Sequence, residues 1–184
     1  MTKINSLMEV LLEELKDIYN AEHQILGALP KMVKKATSPA LKEALKMHLE
    51  ETEVQVERLD EISKILKVKL TGKKCKGTEG LIEEGKEVLE LESDNPALID
   101  TLLIGAAQRI EHYEMAAYGG AKAVAEELGL DSVVMLLQET LDEEKAADAK
   151  LSEISQEEVL AEASVGAGSQ PKTKKSGRNQ VDAN

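Results

Sequence analysis

Residues 109–119 read RIEHYEMAAYG, and both glutamates of that stretch stand where a core side chain belongs. Outward from it, Leu103, Ala107, Glu111, Glu114, Tyr118 and Ala121 follow one another in steps of three and four. That is the helical period, and these residues share one face. The face is apolar at both ends and acidic in the middle. The chain shows the same pattern three more times.

In the first segment, Leu15, Ile18, Glu22, Ile25 and Leu29 fall in line. In the second the line is Leu41, Ala44, His48, Glu51, Gln55, Leu59 and Ile62. In the last it is Leu137, Leu141, Glu144, Asp148 and Leu151. A modest rotation of that helix would turn Glu143 inward instead of Glu144. A single Glu on an apolar stripe is ordinarily a boundary residue whose head reaches water. Four helices interrupted near their midpoints point to one shared polar layer.

Composition agrees with an all-α fold. Hydrophobic residues make up 42% of the 184 residues, aromatics only 2%, and there is no Phe or Trp. A core without large rings suits interlocking helices of Leu, Ile, Val, Met and Ala. The net charge of −12 repels nucleic acid and anionic lipid and is compatible with attracting cations. No apolar run is long enough to span a bilayer. The acids within MTKINSLMEVLLEELKD argue against a signal peptide. The single cysteine, Cys75, excludes an intrachain disulfide and a Cys-rich zinc site, and a cytoplasmic setting is the simplest inference.

The segments have legible ends. The first helix is expected over about 5–35, with Pro30 able to kink it near its end. Ser38-Pro39 starts the second, which runs to about Lys67. A basic loop (70–80) and a short helix over about 81–91 follow. Asp94-Asn95-Pro96 opens the third long helix, which runs to about Leu128. Within it, Gly119-Gly120 either weakens the helix or admits another backbone. Gly129 stops it, and Asp131 can cap the last helix, which reaches about Ile154. The reading is a helical bundle over 1–160 and a disordered polar tail over 161–184. Two hairpins joined by one long crossover that carries its own short helix is the ferritin-like four-helix topology.

Several carboxylates converging in a dry interior repel as anions, and an isolated buried one costs several kcal/mol. A pair of divalent cations offsets that charge. Oxygen-rich ligation with little imidazole suits iron or manganese. The candidate metal residues are Glu22, Glu51, Glu111, Glu114, Glu144, Asp148, His48 and Gln55. His48 either ligates or orients a ligand.

The segments DIYNAEHQI (17–25), HLEETEVQVERL (48–59), RIEHYEMAAYG (109–119) and LDEEKAADAKL (141–151) resemble the ferritin-like superfamily, most closely the YciE/YciF-type bacterial stress-response family. The resemblance covers about residues 6–155. The EHYE segment also resembles the E-x-x-E helix of rubrerythrins, which supports Glu111 and Glu114 as ligands and Glu22 as their counterpart. One departure matters. Where such sites commonly use E-x-x-H, Val54 follows Glu51 and Ala147 follows Glu144 at the third position. The resemblance implies a non-haem di-metal protein of stress response that handles iron, oxygen or peroxide, and a homodimer. Redox turnover of a peroxidase, catalase-like or other oxidoreductase kind is not decided by the residues. A non-catalytic metal binder and a metal-free structural or protein-interaction bundle remain the competing readings.

The other chemically interesting residues read as ordinary. His23 and His112 point off the inward line. Tyr19 and Tyr113 lie within a turn of Glu22 and Glu114 and read mainly as core-edge residues. Cys75 reads as an incidental exposed thiol in a basic loop.

Overall fold

The structure, a computed structural model, describes residues 3–165. All regular elements among them are helical: α1 (Leu7–Lys35), α2 (Pro39–Leu66), α3 (Lys76–Glu90), α4 (Pro96–Glu127) and α5 (Asp131–Ile154). A π-helical turn, Ser155–Val159, carries α5 into a last short helix, α6 (Leu160–Ser164). Residues 161–164 of the expected tail are therefore helical. Residues 166–184 lie outside the described residues.

The ends follow cap chemistry. The hydroxyl of Ser38 accepts from Leu41 N at 3.2 Å, and Pro39 takes the first helical position. Asn95 caps α4 by accepting from Ala97 N at 3.1 Å. Gly129, at φ +66, turns the chain out of α4. Asp131 is the first residue of α5 and caps nothing; Leu130 holds the cap position. α1 continues through Pro30 to Lys35. α4 continues through Gly119-Gly120, where an added Cβ meets nothing within 4 Å, so no second backbone approaches there.

α3 starts a turn earlier than the loop chemistry suggests. Cys75 caps it, with Sγ accepting from Thr78 N at 3.4 Å. The thiol is fully buried against the hydroxyl of Tyr113 at 2.9 Å, which corrects its reading as an exposed cysteine. Gly77 is required beside it: a Cβ there would stand 2.8 Å from the Tyr113 ring.

Each long helix packs against two others, α1 on α2 and α4, and α5 on α2 and α4, while α3 lies across α1 and α4. The apolar core is split into two clusters. One joins Leu11, Leu15 and Ile18 of α1 to Leu59 and Ile62 of α2, Tyr118 and Ala121 of α4, and Leu137 of α5. The other joins Ile25 and Leu29 to Leu41 and Leu45, Leu103 and Ala107, and Leu151. α1 and α5 thus run from the first cluster to the second, and α2 and α4 the reverse. Neighbouring helices are antiparallel and the diagonal pairs parallel. The α1–α2 turn is locked by Asp100 of α4, whose buried carboxylate accepts from Thr37 N (2.8 Å), Thr37 Oγ1 (2.6 Å) and Ser38 N (2.7 Å). Among the described residues no helix is long and apolar enough to cross a membrane.

Candidate metal centre

The gap between the two apolar clusters is where the stripes are interrupted. Glu22 of α1, His48 and Gln55 of α2, Glu111 and Glu114 of α4 and Glu144 of α5 all lie buried there. Glu22 and Glu144 are wholly inaccessible, and His48 is only 5% exposed. One ligand atom each from His48, Glu111, Glu114 and Glu144 lies within 4.8 Å of the others. His48 Nε2 is 3.3 Å from Glu111 Oε1.

Nine buried side-chain atoms in this layer lack a hydrogen-bond partner: Glu22 Oε2, both His48 nitrogens, Gln55 Oε1, Glu111 Oε2, and both oxygens of Glu114 and of Glu144. Among the described residues no other buried side-chain polar atom is left so. Native interiors hold only a few such atoms, seldom gathered in one place, because each costs its desolvation without a return. Protons shared among the acids or a bound cation can satisfy them, and a donor set of carboxylates, an amide oxygen and one imidazole fits a hard or borderline divalent cation.

The electrostatics agree. Burial, and then the charge of Glu144, pushes Glu22 up to about 8. Burial and the neighbouring carboxylates raise Glu111 and Glu114 well above the ordinary range, and burial raises Glu144 as well. Without a cation the layer shifts these acids toward their protonated forms.

The structure divides the candidate residues. Glu22, Glu111, Glu114, Glu144, His48 and Gln55 come together. Glu51 does not enter the layer: its side chain is 41% exposed, with Oε2 3.9 Å from His48 Nδ1 at the rim. Thr52 takes the buried position instead, its hydroxyl donating to the His48 carbonyl. Asp148 is drawn off to the flank, accepting from Gln108 Nε2 at 2.9 Å and lying 3.3 Å from His112 Nε2. Both departures come from helix rotation. A residue three or four places from a buried one stays on the same side but drifts off the seam.

Glu143 is held outside by Arg58, whose guanidinium forks onto both its oxygens at 2.6 Å. Although burial opposes it, the hydrogen bonds from Arg58 and Gln55 keep the Glu143 carboxyl below its ordinary value. Glu144 therefore faces inward. The same pair orients the amide of Gln55. Its Nε2 donates to Glu143 Oε2 at 3.1 Å, and its carbonyl oxygen is buried without a partner. An amide oxygen can only accept, so it calls for a proton or a cation as its partner.

Residues 6–164 match the family described as a domain of unknown function, DUF892. The chain belongs to the DUF892 family. It is 41% identical over 153 residues to Protein YciF of Escherichia coli K12, covering 83% of this chain and 92% of that protein. The crystal structure of the E. coli stress protein YciF superposes with a TM-score of 0.80 at 39% identity, over 88% of this chain and 99% of that one. YcfI of Rhodopseudomonas palustris, described as a candidate structural protein, gives 0.78 at 45% identity, over 82% and 95%. A Xanthomonas campestris protein shares the fold at 21% identity, with a TM-score of 0.69 over 88% and 98%.

In this DUF892 chain two contributors escaped the sequence reading. Tyr118 is completely buried and its hydroxyl donates to Glu22 Oε1. Its position on the inward line, one turn after Glu114, was the available signal. Arg58 was the other, and its place seven residues from Glu51 carried no such mark. Tyr113 hydrogen-bonds Asp17 at 2.6 Å rather than a member of the layer.

Proposed function

We propose that this chain is a non-haem di-metal protein of the ferritin-like class that holds iron or manganese and serves oxidative or general stress response through iron, oxygen or peroxide handling. The observation that carries the proposal is the set of nine partnerless polar atoms confined to one dry layer. Antiparallel neighbours, parallel diagonals and a crossover carrying α3 support the ferritin-like topology. The description of YciF as a stress protein supports the physiological setting.

Glu22, Glu111, Glu114 and Glu144 are the carboxylate ligands, with His48 as the imidazole and Gln55 Oε1 as a neutral oxygen. A bound pair of such ions supplies Lewis acidity and paired redox equivalents toward oxygen or peroxide. The chain's own part is positioning. Tyr118 holds one oxygen of Glu22 and leaves the other free. Arg58, through Glu143, fixes Gln55. The two apolar clusters close the layer to bulk water above and below. Glu51 stands at the rim, one helical turn from His48.

The test is elemental analysis after anaerobic loading with Fe(II) or Mn(II). Wild type is expected to retain about two ions per chain. The double variant Glu114→Ala, Glu144→Ala should retain none in stoichiometric amount while keeping its helical content. A wild type that retains no metal sinks the proposal. Consumption of oxygen or peroxide by the loaded forms then separates turnover from sequestration.

A second reading, a metal-free structural or interaction bundle, draws on the raised carboxyls of the same layer. Glu22 at about 8 can persist as a neutral acid. The same metal analysis decides between the two.

A further inference from the structure

The polar layer is walled by the two apolar clusters above and below, but it has a side entrance between α2 and α5. There a cavity of about 430 Å³ reaches from the surface to His48 and Glu111. Its walls are apolar: Leu45 and Leu151, with Ala44 and Ala147 facing each other across the gap. The space exists because alanines occupy positions where a Leu would fill it. Met47 stands at the mouth, 55% exposed, together with Glu51 and Lys150.

Size and polarity specify the occupant. Peroxide or dioxygen needs about the room of one water, roughly 30 Å³. The cavity is more than ten times larger and falls in the roughly 300–1,000 Å³ range of small-molecule sites. Its buried polar groups, His48 and Glu111, lie at the inner end, while Glu43, Glu51 and Lys150 line it nearer the surface. At that end His48 and Glu111 are buried without hydrogen-bond partners, so they, or a cation they hold, give a ligand's polar group a place to end. Three lining acids, Glu43, Glu51 and Glu111, against the one Lys150 disfavour a carboxylate, and the apolar walls penalise burial of an ammonium group.

We propose that this cavity binds a neutral, mainly apolar organic molecule that its volume of about 430 Å³ can hold, such as a medium-chain alcohol, with its single polar group directed at His48 and Glu111. The inference deepens the metal reading by naming the substrate class of that centre, and it rests on that reading only for what lies at the inner end. The apolar walls desolvate the body of the molecule, and the polar end fixes its direction.

The experiment uses the full chain, metal-free and Mn(II)-loaded, with 1-octanol as the probe. Calorimetry should give saturable one-site binding in at least one form. The His48 ring signals of the metal-free protein should shift in heteronuclear NMR as octanol is added. Ala44→Leu and Ala147→Leu, each made separately, narrow the cavity from opposite walls. Each is expected to weaken octanol binding at least tenfold without changing helical content or metal stoichiometry. Two variants guard against one failing to fold. Absence of saturable binding, equal binding by both variants, or tighter binding of octanoate or octylamine than of octanol overturns the proposal. Metal retained without octanol binding removes the cavity inference alone. Octanol binding without metal retention removes the metal reading and leaves the cavity.

Discussion

Stripping metal from the protein should give it an unusual dependence of stability on pH. In the folded chain Glu22 titrates at about 8, against 4.5 for an ordinary glutamate. Below 4.5 both the folded and the unfolded chain hold this proton. Between 4.5 and 8 the folded chain keeps it and the unfolded chain has released it. The unfolded state then binds fewer protons, so stability is fully present below 4.5 and is lost as pH rises toward 8. At about 1.36 kcal/mol per pH unit, that interval is worth on the order of 5 kcal/mol from this one carboxyl. Glu111, Glu114 and Glu144 shift in the same direction. The loss is comparable with the whole stability of many domains, about 5–15 kcal/mol. Metal should flatten the slope, because ligands bind it deprotonated and the unfolded chain has also released these protons above 4.5. The assay is urea unfolding followed by circular dichroism from about pH 5 to pH 8, with chelator and again with Mn(II). Glu22→Gln should remove its share of the metal-free slope. A metal-free wild type whose stability is flat or rises across that range would refute the idea of a dry, crowded acid layer.

The remaining expectations concern the frame around the layer. Asp100→Ala strips the α1–α2 turn of the acceptor for three donors and should cost about 3 kcal/mol or more, a drop of about 10 °C in Tm by calorimetry. Gly120→Ala, with open space at its Cβ, should stabilise by about 1 kcal/mol in urea unfolding. Gly77→Ala should destabilise by about 1–3 kcal/mol, because the Tyr113 ring it would strike is anchored by Asp17 and Cys75. Cys75 should resist an aromatic disulfide reagent in the native protein and react stoichiometrically once urea unfolds it; rapid native labelling would contradict its burial.

Helix existence and most helix ends were legible because their causes are local. Ser38-Pro39, Asn95-Pro96 and Gly129 act through their own backbone and caps. The start of α3 is not legible in the sequence because its cap is a cysteine, a residue type that ordinarily signals no cap, supported by Tyr113 from a different helix. The polar layer was legible in outline. A carboxylate in mid-stripe violates the helical pattern at the position where function displaces packing.

Taken alone, the order of residues determined four long amphipathic helices, their polarity and a band of acids halfway along each. Those depend on periodicity within one helix. Rotation of each helix about its axis does not, since it is settled by how neighbours fill the space between them. Adjacent residues point about 100° apart, so a small turn selects Glu144 over Glu143, buries Thr52 in place of Glu51 and sends Asp148 to the flank. Tertiary packing alone brought Arg58 onto Glu143 and Tyr118 onto Glu22, and it alone left the alanine-lined gap between α2 and α5, because each of these joins residues from different helices.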